Sequence, residues 1–501
     1  MRSCPAFSNR VAEDFQELIV KRQEPKAESK RRKLLYCFVR ELVRQHFRFF
    51  LAATLAAIVL RVFFVLRFPA VVSDSLVYGD IAKNWLHHGI FGISGIGDVT
   101  PTYIRLPGYP AFLALIFAIF GMEHYRAALM VQIFVDVGTC FLIADIARRV
   151  GSTGAAKAAF LLAALCPFLA SYAAAALTET WEIFFTVLAL DLALAGFTNV
   201  RLTRLWLGCG LAIGAAILLR PDGGLLLAAL ELYLLIVLFV RSKPSVRLPF
   251  SAIIKAGAIV AVAGLTPLIP WIVRNLSTFH EFEPLAPRYA NEADDPVPTG
   301  FNRWVKTWMA DYASVEEIYW AVPGSSVDVD NLPARAFDSE DQRDQTEQLL
   351  DDYNKELRVT NDLDARFAVL AAQRIHRSRW RYYVWLPTLR VADMWLRPRT
   401  ENLPCNTRWW EFDEQPKWLA VGVVVGILNL LYVGAGLLGL VRGRFTPWVW
   451  LLLTFVILRS VFLATLENPE PRYTMECYPV VIVLAAALFQ KSKREILQKV
   501  D

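Results

Sequence analysis

Where apolar stretches of this chain end, short polar clusters carry residues able to do chemistry. The first is Ser73-Asp74-Ser75-Leu76-Val77-Tyr78, directly after the apolar run Phe68–Val72. A carboxylate such as Asp74 can take a proton from an alcohol or hold a metal ion. The same position also suits an N-cap for the helix that Tyr78–Leu86 forms, so spacing alone leaves cap and catalyst both open. Next comes Arg105-Leu106-Pro107-Gly108-Tyr109-Pro110. A guanidinium beside an apolar segment can clamp a phosphate bidentately, or it can snorkel to lipid headgroups. Further clusters follow: Thr178-Glu179-Thr180, Arg220-Pro221-Asp222, Arg274-Asn275, and Arg472-Tyr473 flanked by Glu467 and Glu470. Ionisable groups at membrane depth are costly and tend to be paired or functional. Arg220 with Asp222 also reads as a local turn pair. His87-His88 is a weak metal signal, because neighbouring helical residues point about 100° apart and no third ligand is evident.

These clusters are set among elements whose nature the composition fixes. The chain has 501 residues, 55% of them hydrophobic and 20% charged, with mean hydropathy +0.37. The apolar residues come in long blocks without polar stripes, such as Phe47–Val65, Ser251–Val273 and Leu419–Val441. A bilayer core of about 30 Å is crossed by about 20 such residues in a helix. The chain is therefore an all-α polytopic membrane protein. A cytosolic enzyme, a disordered chain and a secreted disulfide scaffold are excluded. The 7 cysteines form no CxxC pattern and read as small packed hydrophobes, with a Cys405–Cys477 bridge as an unsupported alternative. The net charge of only +6 does not suggest nucleic acid.

Spans are predicted at 47–65, 127–147, 155–176, 180–198, 205–219, 223–240, 251–273, 418–441, 446–466 and 475–490. Residues 1–46 are rich in Lys and Arg, notably Lys30–Lys33, and lack a signal-peptide pattern. Basic flanks stay cytoplasmic. So 1–46 is expected as a cytoplasmic segment and 491–501 as a cytoplasmic tail. The short loops with Arg148/Arg149, Arg201/Arg204, Arg241/Lys243/Arg247 and Arg442/Arg444 share that side. This works only if the short apolar segment Tyr109–Phe120 is re-entrant. The expectation is about 10 full spans plus this partial one; the alternative is 11 spans with the charge rule broken downstream. The outer face then receives loop 67–107, the polar clusters named above, and an acidic insert. The organisation is 47–275 as a membrane catalytic module, 276–416 as the external insert, and 417–490 as C-terminal transmembrane helices.

Within the insert, Asp341–Arg379 has helical periodicity, and Trp304, Trp308, Trp380, Trp395, Trp409 and Trp410 serve core packing, an interfacial belt or sugar stacking. Charges inside spans are Arg61, Asp136, Asp191, Glu231, Lys255 and Arg459. Glu231 and Arg459 are candidates to pair, and a transporter would start there. No inverted repeat or matching pair of broken helices accompanies them. Asn275-Leu276-Ser277 is a sequon of the kind that occurs by chance.

The run Asp74-Ser75…Tyr78…Ile81-Ala82…Trp85-Leu86…Gly89, then Arg105-Leu106-Pro107-Gly108-Tyr109-Pro110 and Ile119-Phe120-Gly121, resembles the first external loop region of family 39-type glycosyltransferases. Leu177-Thr178-Glu179-Thr180, Leu219-Arg220-Pro221-Asp222-Gly223, Pro270-Trp271…Arg274-Asn275 and Pro471-Arg472-Tyr473 extend the resemblance. It implies the GT-C fold and a lipid-phosphate-linked sugar donor. The family includes protein O-mannosyltransferases and lipid A aminoarabinose transferases. Its catalytic acidic residue lies in the first external loop, where Asp74 matches. Protein mannosyltransferases carry an Asp-Glu pair there; this chain has Asp74-Ser75, which leaves the acceptor open.

The resulting expectation is sugar transfer on the outer face from a polyprenyl-phosphate donor to a hydroxyl of a lipid, glycan or protein acceptor, with inversion. Asp74 acts as catalyst, Arg105, Arg274 and Arg472 bind the donor phosphate, and Tyr78, Glu179, Arg220 and Asp222 bind substrate. No cofactor is required by the sequence; a divalent metal at Asp74 is conceivable without a complete ligand set. A bacterial inner membrane fits this reading, with membrane lipids and the lipid-linked donor as partners. A lipid-linked saccharide flippase or other transporter is the alternative, and a scaffold presenting the insert is a third.

Overall fold

The computed structural model describes residues 41–239, 249–292, 295–408, 410 and 416–490. The basic segment with Lys30–Lys33, the loop Arg241/Lys243/Arg247, Trp409 and the tail from 491 lie outside the described residues. The chain divides into two units, 1–55 and 56–501. In the first, the described part is helical from residue 41, apart from a turn at His46, into the opening turns of α1 (Phe47–Arg67). All that follows concerns the second.

That unit is helical, with one small hairpin among the described residues. After α1 come α2 (Ser73–His88), the paired strands β1 (Gly92–Ser94) and β2 (Val99–Pro101), α3 (Gly108–Phe120) and α4 (Tyr125–Val150). Then α5 (Thr153–Ala164), α6 (Pro167–Ala173), α7 (Glu179–Thr198), α8 (Thr203–Leu219) and α9 (Gly224–Phe239) continue the bundle. It proceeds through α10 (Phe250–Leu265) and α11 (Ile269–Phe279) to the insert. The insert is built on α12 (Thr299–Lys306), α13 (Glu340–Glu356) and α14 (Asn361–Arg377). The chain returns through α15 (Leu386–Leu396), α16 (Pro416–Arg442), α17 (Val449–Ala464), a 3-10 turn at Pro471–Cys477, and α18 (Tyr478–Ala486).

The apolar segments recur where the hydropathy put them. Among the described residues, seven helices are long and apolar enough to cross a membrane, and α5 with α6 makes an eighth if the pair is one span. That pair bends by 52°, because Pro167 opens α6 and cannot donate to the preceding turn. The carbonyls of Ala163 and Ala164 at the break accept instead from the Arg61 guanidinium, at 3.1 and 2.5 Å. Arg61 also binds Asp136 at 2.5 Å, so one ion pair joins α1, α4 and the broken helix. The shorter apolar helices are α3, α8 and α17.

The α3 segment stays at one end of the bundle. Tyr109 at its start packs edge-on to Tyr78 of α2, ring centroids 5.2 Å apart. Beyond its other end, Glu123 pairs with Lys83 of the same α2 at 2.7 Å. Both ends of α3 therefore lie against α2. The described basic loops gather at the opposite end. There Arg149 of α4 binds Asp191 of α7 at 2.8 Å, Val150 O accepts from Thr446 N at 2.8 Å, and Trp448 stacks on Phe197 at 4.8 Å.

The insert has its own core, in which Trp304, Trp308, Tyr353 and Phe367 are buried. Asp364 of α14 accepts from the N–H groups of Gly300 and Phe301 at 3.0 and 2.9 Å. It thereby caps α12 from a distant helix. The polar stretch read as helical is α13 plus α14. Trp304 and Trp308 are core residues, while Trp380 and Trp410 are exposed and Trp395 donates to Ser460 Oγ at 3.2 Å. Cys405 and Cys477 are free thiols, which removes the bridge considered from sequence.

Candidate functional site

Asp74 lies in the first turn of α2 but does not cap it. The helix begins at Ser73, and Ser75 Oγ takes the N–H of Val72 at 3.1 Å. The Asp74 carboxylate is instead held by two arginines. Arg105 Nη2 donates to Oδ1 at 3.0 Å and Arg472 Nη1 to Oδ2 at 3.3 Å. Placement at a helix N-terminus adds a favourable dipole. Burial pushes this carboxyl upward, but Arg472 and Arg105 together outweigh it and hold it below the ordinary carboxylate value.

Local structure explains why Arg105 arrives there. The β1–β2 hairpin is tied to α2, with Ser94 N donating to Asp80 Oδ2 at 2.7 Å and Asn84 Nδ2 to Gly92 O at 3.0 Å. Four residues past β2, Arg105 lies 5.8 Å from the centre of the Tyr78 ring. Burial raises the Tyr78 phenol to about 12, so it stays a neutral donor. Gly108 then starts α3 in direct contact with the end of α8. A Cβ there would meet Leu218 O at 2.6 Å.

Behind Asp74 the ion pairs continue as a network. Arg472 Nε meets Glu470 at 2.5 Å, and its Nη1 lies 3.9 Å from Glu179. Arg220 contacts Glu179 at 3.4 Å, Asp222 at 3.3 Å and Glu182 at 3.7 Å, and lies against the face of Tyr473 at 4.8 Å. So the Arg220–Asp222 turn pair exists, but it is one link in a longer chain. Arg459 continues it, binding Asp222 at 2.9 Å, Glu182 at 3.6 Å and Glu476 at 2.7 Å.

Seven of the eight residues singled out from sequence line one cavity of about 1090 Å³: Asp74, Tyr78, Arg105, Glu179, Arg220, Asp222 and Arg472. The eighth, Arg274, is placed elsewhere. It donates to the carbonyls of Thr102 and Phe91 at 2.8 and 2.6 Å. It therefore braces the loop that carries Arg105 and is not part of the cavity wall. The Glu231–Arg459 pair does not form: Arg459 is committed to three other carboxylates, and Glu231 Oε1 has no hydrogen-bond partner. The Asn275 side chain is buried and donates to Glu283 O at 2.7 Å, so it is not presented as a glycan acceptor.

Sequence reasoning missed the far wall. The insert contributes Tyr289, Tyr312, Glu316 and Tyr319, and the segment after α15 contributes Glu401 and Asn402. Burial raises both the Glu316 and the Glu401 carboxyls. No motif marks these residues. Glu182 did have a signal, lying three positions after Glu179 and so on the same helical face. The donor set around Asp74 does not suit a divalent cation, since both carboxylate oxygens face guanidinium groups. Among the described residues no group of three or more His, Cys, Asp or Glu side chains is arranged to hold a metal ion.

Residues 101–271 match the model of the family described as dolichyl-phosphate-mannose-protein mannosyltransferase. That stretch, about a third of the chain, contains Arg105, Glu179, Arg220 and Asp222, and excludes Asp74 and Arg472. Over it the chain is similar to GT-C membrane glycosyltransferases that use lipid-linked donors. Among solved structures, the archaeal oligosaccharyltransferase AglB from Archaeoglobus fulgidus, in complex with an inhibitory peptide and a dolichol-phosphate, is 13% identical. The alignment covers 88% of this chain and 50% of that one, with TM-score 0.47, so this chain spans half the length of that protein. ArnT from Cupriavidus metallidurans, bound to undecaprenyl phosphate, is 15% identical over 89% of this chain and 78% of its own, with TM-score 0.38. No curated protein sequence matches the chain.

Proposed function

We propose that this protein transfers a sugar from a polyprenyl-phosphate donor to an acceptor hydroxyl, with inversion, at the membrane face opposite its basic loops. The observation that carries the reading is Asp74 held between Arg105 and Arg472 on the wall of a large cavity at one end of a membrane bundle. A lipid phosphate is an anion at the interface, and two guanidiniums there match it in charge and geometry. The clustering of Arg148, Arg149, Arg442 and Arg444 at the other end supports an outer-face site, since basic loops remain inside.

The chemistry follows from the same three residues. The donor phosphate competes with Asp74 for Arg105 and Arg472. Its binding draws the guanidiniums onto the phosphate oxygens and leaves the carboxylate free. Asp74 then takes the proton of the acceptor hydroxyl. The acceptor oxygen bonds to the anomeric carbon from the side opposite the phosphate. The bond from that carbon to the phosphate oxygen breaks, and its electron pair leaves with the lipid phosphate, stabilised by the two arginines. Arg220, Glu179 and Asp222 position Arg472 from behind, and Tyr78 supports Arg105 from below. Arg274 acts at one remove, through the backbone of the loop.

The test uses the purified chain in detergent with a panel of radiolabelled polyprenyl-phosphate sugars and candidate acceptors, wild type beside Asp74→Asn. The expected result is turnover of one donor, reduced by about 100-fold or more in the variant while its thermal unfolding is unchanged. Equal turnover in both proteins removes Asp74 from the mechanism.

A further inference from the structure

The helix that returns from the insert to the bundle has an unusual exposed face. Residues 379–396 are continuously helical, with a widened turn at Arg381–Trp385 closed by the bond from Leu386 N to Arg381 O. Widened turns of this kind are rare and concentrate at functional positions. In a regular α-helix Trp380 and Trp385 would stand about 140° apart. The extra residue in the turn narrows that angle, and both indoles face out, 69% and 53% exposed, with Tyr383 beside them at 65%. Tyrosine and tryptophan are not forced outward here by lack of a core, since Trp304 and Trp308 of the same insert are fully buried.

Charge and position say what covers this face. Arg303, Arg377 and Arg379 are exposed around it, and Arg303 acts electrostatically on Tyr382. Arg381 is not part of this set, because it is bound to Asp338 at 2.5 and 3.1 Å. The helix also enters the bundle at a defined level. Arg390 donates to the carbonyl of Ala464, the last residue of α17, at 3.4 Å, and Trp395 reaches Ser460 one turn deeper. Following the axis the other way at about 1.5 Å per residue, Trp385 and Trp380 lie roughly 8 and 15 Å beyond Arg390. The headgroup layer is about 5–8 Å deep on each side of the core, so Trp385 stands at its outer level and Trp380 at its aqueous edge and beyond. The adjoining surface of α17 is apolar and exposed at Ile457 and Val461, so the aromatic face continues an exposed apolar surface of a membrane-bundle helix.

We infer that the face formed by Trp380, Tyr383 and Trp385, with Arg303, Arg377 and Arg379, is an interfacial anchor that binds anionic phospholipid headgroups and seats the insert on the membrane. Aromatic rings with a polar edge favour that layer, and exposed arginines there are attracted to anionic lipid. The anchor is linked to the cavity wall through its own helix: Asp393 accepts from Tyr312 N at 3.0 Å, and Arg399 binds Pro471 O at 2.8 Å, next to Arg472.

The test uses the full chain in nanodiscs of phosphatidylcholine or of phosphatidylglycerol. The emission of the two indoles is taken as wild type minus the Trp380→Phe/Trp385→Phe double variant. Lipids brominated near the headgroup are expected to quench that difference signal while aqueous acrylamide does not. Quenching is expected to be about twofold stronger in phosphatidylglycerol. Replacing Arg303, Arg377 and Arg379 together by Gln is expected to erase the preference between lipids while leaving the folded fraction unchanged. Quenching by acrylamide alone would place the face in water or against a soluble partner and overturn the inference. Equal quenching in both lipids by the wild type would overturn the selection for anionic headgroups.

Discussion

Asp74 is a carboxylate that its neighbours keep ionised and, by the same contacts, keep weak as a base. Arg105 and Arg472 hold its pKa below the ordinary value in the free protein. Donor phosphate would withdraw both cations, and the remaining influence is burial, which raises a carboxyl. The sign is then fixed. The acid limb of kcat/KM for the donor, which reports the free enzyme, lies below about pH 4. The acid limb of kcat, which reports the donor complex, lies at higher pH. Steady-state rates from about pH 3 to 8 at limiting and saturating donor check this. Coincident limbs would mean that the arginines stay on Asp74 throughout.

Among the elements, the closest constraint on the site is the junction of α3 and α8. Gly108 lies three residues after Arg105, and Leu219 one residue before Arg220, and they meet backbone to backbone. A methyl group on Gly108 would come within 2.6 Å of Leu218 O, which cannot swing aside as a side chain can. Gly108→Ala is therefore expected to wedge α3 away from α8 and shift Arg105 relative to Arg220. Displacements of about 1 Å at a positioned group cost up to about 100-fold in rate. Turnover should fall by about 10-fold or more, while fluorescence of the insert stays native, because Trp304 and Trp308 are buried in the insert's own core. The elements themselves were largely legible. Hydropathy located the long apolar helices among the described residues, and the polar periodicity of 341–379 located α13 and α14. The β1–β2 hairpin was not legible: its strands are only three residues each, too short for an alternating pattern to show.

Across the whole molecule, the buried pair Arg61–Asp136 holds α1, α4 and the α5–α6 break together, away from the cavity. Removing one partner leaves the other charge buried and alone, at a cost of about 3–5 kcal/mol, whereas replacing both by apolar groups is close to neutral. Arg61→Met should lower the thermal unfolding temperature in detergent sharply, and Arg61→Met/Asp136→Leu should recover most of the loss. If the double variant is no better than the single, the guanidinium's bonds to Ala163 O and Ala164 O carry the stability and not the ion pair.

The sequence by itself determined that this chain is a helical membrane protein, where its apolar segments lie, and which polar clusters sit at their ends. Those properties are local: a run of about 20 apolar residues suffices to define a span, and an ionisable group beside it is conspicuous. Tertiary structure decided which clusters meet. Asp74 and Arg472 are 398 residues apart, and no spacing rule reaches that far. Arg274 looked equivalent to Arg105 and Arg472 in sequence, yet it braces a backbone loop. Arg459 looked like a partner for Glu231 and proved to be shared among Asp222, Glu182 and Glu476. The choice among candidate partners depends on helix packing and on where Gly108, Pro167 and the 3-10 turn at Pro471 bend the chain. Side chains distant in sequence take their partners only once those bends are in place.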